Sequence, residues 1–263
     1  FNTKDKKFIQ DSFFFIKEYF KKKNVVICFL KFNPLQTINK EIYEFVEITR
    51  DRKIISIKVD NEYDYIFNKQ YSSNNRNMIR KARKKYNISI GNSKDHIDFF
   101  IKNYHENLLR LKADDFYYFN REYFDSILNS LENLGFVLNV FDDKNICQAS
   151  SLILTSDYYA HYHLSGKSIN NNDNSITNFM LDEIIKFLNK NNYKFFNLGG
   201  GRSNKIDDTL FKFKKNFSDN LLDFYFGKMI IDKKKYNEVC TNWEKENPNK
   251  AIKFKNYVLK YRY

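Results

Sequence analysis

The chain has 263 residues, 42% of them hydrophobic, enough to bury a sizeable core, and its 45 Lys plus Arg against 32 Asp plus Glu give a formal net charge of +13. That charge suits polyanionic partners such as tRNA, nucleotide-linked sugars, coenzyme A or a membrane surface, although the excess of Lys, Asn, Ile, Phe and Tyr also fits AT-rich coding without selection for charge. No run of eighteen apolar residues occurs, so no stable membrane insertion is expected; Cys28, Cys147 and Cys240, scattered and without a Cys-x-x-Cys pair, exclude a disulfide framework and a zinc site and point to a reducing, cytoplasmic compartment.

The text opens at Phe1 in polar, helix-like sequence, and a missing natural N-terminus is expected. Residues 11 to 23 carry Phe14, Phe15, Tyr19 and Phe20 at helical spacing and end in lysines, as a helix C-terminus prefers. Residues 25 to 32 form a short apolar run closed by Asn33-Pro34, a strand and turn, and residues 54 to 59 alternate like a half-buried strand. Residues 62 to 85 read as one long helix whose second half, NNRNMIRKARKK, gathers Arg76, Arg80, Lys81, Arg83, Lys84 and Lys85. Arg76 and Arg80 are spaced i,i+4 and so point the same way, which fits either phosphate binding or an exposed basic helix.

From Tyr86 the pattern is regular: a strand at 88–90, helices at 95–111 and 121–134 (the second capped by Asn120), and three close strands at 136–142, 146–155 and 158–164 joined by hairpin-length turns. A helix at 176–189, a strand at 193–198, a helix at 207–216 and a strand at 222–231 follow, before a cationic, aromatic and helical tail around Trp243. Three meandering strands after two helices predict an α/β mixed sheet rather than a doubly wound parallel one.

The stretch FFNLGGGRSNKIDDTLFKFKKNF, residues 195 to 217, is the candidate site. Gly199, Gly200 and Gly201 are three of only seven glycines in the protein, and side-chain-free backbone after a strand lets a ligand approach main-chain N–H groups, or simply supplies positive φ in a turn. It is no P-loop, lacking the Gly-Lys-Ser/Thr ending, and no dinucleotide fingerprint, since Asn204 stands where a glycine is needed. The pyrophosphate loop usual in GNAT enzymes is absent too: after Leu164 the text is SGKSINNNDNS. His161 and His163 share one face of a strand about 7 Å apart; without a third ligand nearby they argue against a metal, and His163 is a candidate base for an attacking ammonium, or a hydrogen-bonding cleft residue. Asp207 and Asp208 open a helix as caps, with Asp208 also a candidate to contact substrate or orient Arg202.

YAHYHLSGKS, SITNFMLDEIIKF, KFFNLGGG, DDTLFKFKKNFS and NMIRKARKK, in their order and spacing over residues 25 to 236, resemble the Fem-type aminoacyltransferases and GNAT-like relatives associated with surface-polysaccharide synthesis. The resemblance implies a GNAT-like acyltransferase fold in two lobes: an incomplete one at 1–85 ending in the basic helix, a complete one at 86–232, and a basic aromatic tail at 233–263. It implies transfer of an acyl or aminoacyl group, from an acyl-CoA or an aminoacyl-tRNA and with no metal, to a primary amine of a nucleotide- or lipid-linked amino sugar. Its Phe-Lys pair falls on Phe213 and Lys214, whose ammonium would stabilise negative charge on the carbonyl oxygen under attack. Its basic helix falls on residues 79 to 82, in the wall of the substrate cleft. The substrate-binding candidates are therefore Arg76, Arg80, Tyr162, Asn178, Gly199, Gly200, Gly201, Arg202 and Asp208, and the catalytic ones Lys214, Phe213 and His163. Two further readings stay open: a tRNA-dependent peptidoglycan-bridge aminoacyltransferase, and a non-enzymatic nucleic-acid-binding module resting on the 76–85 helix and the tail.

Overall fold

The computed structural model describes residues 3–130, 134–203, 205 and 207–263, with backbone only at 129 and 130. In chain order the elements are α1 (Lys6–Lys22), β1 (Ile27–Lys31), a 3-10 turn (Lys40–Glu44), β2 (Glu47–Lys58), α2 (Tyr63–Tyr65) running into a π-turn (Ile66–Gln70), and α3 (Ser73–Ala82). Then come β3 (Asn87–Gly91), α4 (Lys94–Leu111), α5 (Arg121–Ser130), β4 (Gly135–Phe141), β5 (Cys147–Ser156), β6 (Tyr159–Lys167) and α6 (Ser175–Lys190). The order closes with β7 (Phe195–Gly199), α7 (Thr209–Lys215), β8 (Leu221–Ile230), α8 (Lys233–Glu246) and α9 (Pro248–Phe254). The expected helix at 121–134 is present to residue 130, and its last turn, at 131–133, lies outside the described residues.

The long helix expected over 62–85 is two pieces. Tyr71 is extended, with ψ 141°, and Ser72 starts a new helix by accepting a hydrogen bond from the Asn75 N–H. The cause is a Ser side chain offering the backbone a cap where a helix interior was read. The π-turn before it is the sort of distortion that accompanies such a break.

The chain divides into two compact units. The first comprises residues 1–53 and 222–263; its strands run in the order β1-β8-β2, with Ile27 opposite Ile230 in an antiparallel pair, and Ile9 and Phe13 of α1 pack with Ile42, Val46 and Met229.

The second unit, residues 54–221, holds the strand order β2-β7-β6-β5-β4-β3. Among the described strand pairs of this unit β6 and β7, joined through α6, are parallel and the others antiparallel, so the mixed α/β sheet predicted from element order is what forms. Helices cover both faces, which is why β4 reads GFVLNVF with almost every residue buried rather than alternating. Phe136, Leu138 and Val140 face the layer of α3 and α6, while Val137 joins Ile97, Phe100, Tyr104 and Leu108 of α4 and Phe124 of α5 on the other face. The three-and-four spacing of those α4 residues makes one apolar stripe.

Candidate active site

The parallel pairing of β6 with β7 covers only Tyr159 to His161 against Phe195 to Asn197. Beyond it β6 stays paired to β5 as far as Lys167, and β7 ends at Gly199 against Ile55 of β2. The strands therefore part, and the glycine run begins where they do. Such a divergence exposes main-chain polar groups between two carboxyl-directed strand ends, a usual place for a ligand in an open α/β sheet.

The bend is built by its own residues. Asn197 accepts a hydrogen bond from the Gly199 N–H through its side-chain oxygen at 2.7 Å, and Gly199 takes φ +72°, which favours glycine. Asp208 caps α7 by accepting from the Phe211 N–H and holds the loop by accepting from the backbone N–H and hydroxyl of Ser203. These donors, the Phe211 N–H foremost, lower its pKa to about 2. A Cβ on Gly201 would lie 2.4 Å from an Asp208 carboxylate oxygen, so the absence of a side chain there lets cap and bend meet.

Lys214 rises from α7 into this bend. It is 7% exposed, and its Nζ donates to the Gly200 carbonyl at 2.8 Å and stands 5.9 Å from the centre of the Tyr162 ring. Burial lowers its pKa to about 8, with Asp208 acting in the opposite direction. Among the described residues no carboxylate lies within ion-pair distance of it. Lys212 and Lys215 on the same helix are exposed, as expected for solvated neighbours. Phe213 is a packing residue against Phe217, ring centres 5.8 Å apart. Burial pushes the Tyr162 hydroxyl up to about 12, against hydrogen bonds with Ser165 and Ser151.

The other candidates fall in several places. His163 is the additional residue of a bulge, since Leu152 faces Leu164 and Ile153 faces Tyr162. Its Nε2 lies 3.4 Å from the Tyr123 hydroxyl of α5, while Tyr162 packs with the α3 and α6 layer, so the structure brings Tyr162 rather than His163 beside Lys214. His161 and His163 do share a face, with ring centres 6.1 Å apart. Arg76 donates to the carbonyls of Asn68 and Tyr71, and Arg80 lies over the Phe67 ring at 5.4 Å; the i,i+4 pair is thus turned to its own segment. Arg202 is exposed, and its backbone N–H contributes to lowering the Asp208 pKa.

Asn178 is buried and donates to Asn75 at 2.7 Å; Asn75 donates to the backbone carbonyl of Asn216, the residue that ends α7, and Ser72 donates to the Asn216 side chain. This chain of amides ties α6 and α3 to the helix that carries Lys214.

The sequence reading took Arg83 as one cation of the basic run and missed the cluster it joins. Asp182 of α6, 0% exposed, accepts from the Tyr63 hydroxyl and from Arg83, both at 2.7 Å, and the Arg83 guanidinium stacks on Phe67. Burial raises the Asp182 pKa even against these partners, and burial with the adjacent carboxylate holds the Tyr63 hydroxyl well above its usual range. Its only trace in sequence is an aspartate at an inward position of an apolar helix face.

No family model matches the sequence, and no curated protein matches it. Among solved structures, the chain is similar to FemX, with TM-score 0.73 and 12% identity over 89% of this chain and 79% of that one. It is similar to L-PGS from Bacillus licheniformis (TM-score 0.58, 13% identity, 81% of this chain and 71% of that one). The C-terminal domain of a protein assigned as a lysylphosphatidylglycerol synthetase from Agrobacterium fabrum gives TM-score 0.54 and 16% identity over 73% of this chain and 64% of that one. At these identities the likeness is one of fold.

Proposed function

We propose that the chain is an N-acyltransferase of the Fem/GNAT-like type, moving an acyl or aminoacyl group onto a primary amine of a cell-envelope precursor, with an amino sugar of a surface polysaccharide as the acceptor class. The observation that carries the reading is the buried Lys214 ammonium, held against the Gly200 carbonyl where β6 and β7 part. An ammonium has three donors and Gly200 takes one.

In the reaction the acceptor amine attacks the donor's ester or thioester carbon, the C–N bond forms, and the carbonyl oxygen becomes an oxyanion that a second Lys214 N–H stabilises. Collapse breaks the bond to the thiolate of a coenzyme A or to the ribose oxygen of a tRNA, and the proton leaving the new ammonium neutralises the departing group. In a site shielded from water one such donor contributes on the order of 10²–10³ in rate. With a pKa of about 8 the lysine is mostly charged at neutral pH. The bend and its cap at Asp208 hold the ammonium in place, and a direct attack needs no covalent enzyme intermediate.

A second reading, transfer from aminoacyl-tRNA onto a peptidoglycan precursor, takes support from the resemblance to Fem-type aminoacyltransferases and from the fold shared with FemX. One experiment tests both. The protein is incubated with amino-sugar nucleotides or with a peptidoglycan-precursor peptide, in the presence of acetyl-CoA or of charged tRNA, and the acceptor is weighed by mass spectrometry. One added acyl mass, absent with Lys214→Met, is the expected result, and a steep loss with salt marks the tRNA donor. No mass gain on any amine with either donor overturns the proposal.

A further inference from the structure

Helix α1 has two apolar stripes, and among the described residues one is packed and the other is exposed. Ile9, Phe13, Ile16 and Phe20 pack into the first unit. Phe8, Phe15 and Tyr19, spaced seven and four residues apart, form a second stripe on a different face, and they are 55%, 70% and 58% exposed; Phe14 beside them is 63% exposed. At 100° per residue the stripe spans about 40° of the helix circumference, a narrow line of aromatic rings facing outward.

The ends of that line are cationic. Residues 4 to 23 hold seven lysines against three acids, and Lys4, Lys7, Lys22 and Lys23 are exposed at the two ends of the helix. Lys22 falls within about 40° of the stripe on the same face. Lys23 reaches back over the Tyr19 ring at 5.8 Å, and the remaining acid near this end, Glu18, is engaged by Lys21 at 2.7 Å. No helix among the described residues is long and apolar enough to cross a membrane.

We propose that this face of α1 is a peripheral docking surface for an anionic lipid bilayer, on which the helix lies flat. Aromatic rings settle at the boundary of headgroups and acyl chains, and long lysine stems let their ammonium groups stay among anionic headgroups while the rings go deeper. The complementarity of charge selects this occupant over a second copy of the chain: a two-fold contact of the face with itself would set the lysine clusters against one another. It also selects it over a nucleic acid, whose phosphates would want cations along the stripe, where Phe8, Ser12, Phe15 and Tyr19 stand instead. The proposal is independent of the transferase reading, because its test needs no activity.

The test is co-sedimentation of the chain with vesicles of pure phosphatidylcholine and vesicles containing one-third phosphatidylglycerol, at low and high salt, with light scattering of the protein alone. Binding to the anionic vesicles, weakening with salt, is expected. The triple variant Phe8→Ser, Phe15→Ser, Tyr19→Ser should lose it while keeping its melting temperature. Lys22→Glu with Lys23→Glu, which leaves every ring in place, should weaken it by more than tenfold, from roughly fivefold for each cation near such a surface. Absence of binding by the native chain, or unchanged binding by the triple variant, overturns the proposal. So does a native dimer that the triple variant turns into a monomer, which gives the face to a second copy, or equal ring-dependent binding to single-stranded oligonucleotide.

Discussion

Two cations in the second unit, Arg83 with its head on a buried carboxylate and Lys214 itself buried, show how differently a protein can house a positive charge. Arg83 reaches Asp182, a fully buried carboxylate that also accepts from Tyr63, and stacks on Phe67. Among the described residues Lys214 reaches a carbonyl, that of Gly200, beside an aromatic ring, with the nearest influential carboxylate, Asp208, occupied by its capping bonds. The first charge is neutralised by the Asp182 carboxylate, and partial burial alone would lower the Arg83 pKa but Asp182 more than restores it. The second is left partly uncompensated, and its pKa falls. A paired buried charge serves the fold; an underpaired one in a strand divergence is what a developing anion needs.

Removing each charge should separate the two roles. Lys214→Met, which keeps the stem and removes the ammonium, is expected to lower the transfer rate on the order of 10²–10³ while leaving the melting temperature equal or higher, since a costly buried charge is gone. Arg83→Met is the converse: it strands the Asp182 carboxylate and should cost about 3 kcal/mol in denaturant unfolding, at the lower end for a buried pair because Arg83 is itself a third exposed, with the rate per folded molecule preserved. If both variants lose activity and stability together, the distinction fails.

The pH dependence sharpens it. Folded Lys214 titrates near 8 and an unfolded lysine near 10.5, so below 8 both states are protonated and the charge weighs against folding. Between these values the unfolded chain binds the extra proton, and this contribution makes stability climb with pH, by roughly 3 kcal/mol in all. The climb should be missing when the urea midpoints of Lys214→Met are compared with the native chain across that window. Activity should move the opposite way, kcat/KM falling as pH passes about 8 and the donor is lost.

The smallest effect belongs to the amide chain. Asn178→Ala leaves the Asn75 side-chain oxygen without its donor and should cost about 1–2 kcal/mol, read as a lower midpoint, with a modest fall in rate because α7 is less firmly seated. A loss of rate as large as that of Lys214→Met would mean that Asn178 meets the substrate.

Much of the fold was legible because it is local. The alternation of the strands, the Asn120 cap, whose side chain accepts from the Tyr123 N–H, and the Asp142 to Asn145 turn all follow from neighbours in sequence. So do the glycine bend and the lysine beyond it, which residues 195 to 217 place within one turn and helix of each other. What stayed hidden depends on distance along the chain. Asp182 and Arg83 are separated by 99 residues, and Ile27 meets Ile230, pairings that no window of sequence displays. The bulge at His163 is equally invisible, because strict alternation carries no mark of an inserted residue. Arg76 shows the limit of reading charge alone: a cation at helical spacing looks available for phosphate until its donors are found on the carbonyls of the preceding turn.

The amide chain gives α7 an anchor at each end. Asp208 fastens the head of this seven-residue helix to the glycine bend, and Asn75 with Ser72 grips its tail through Asn216. A short rod pinned at both ends cannot slide or tilt to follow a bound molecule, so the ammonium keeps its height above the bend and any adjustment to different acceptors must come from the molecules that enter.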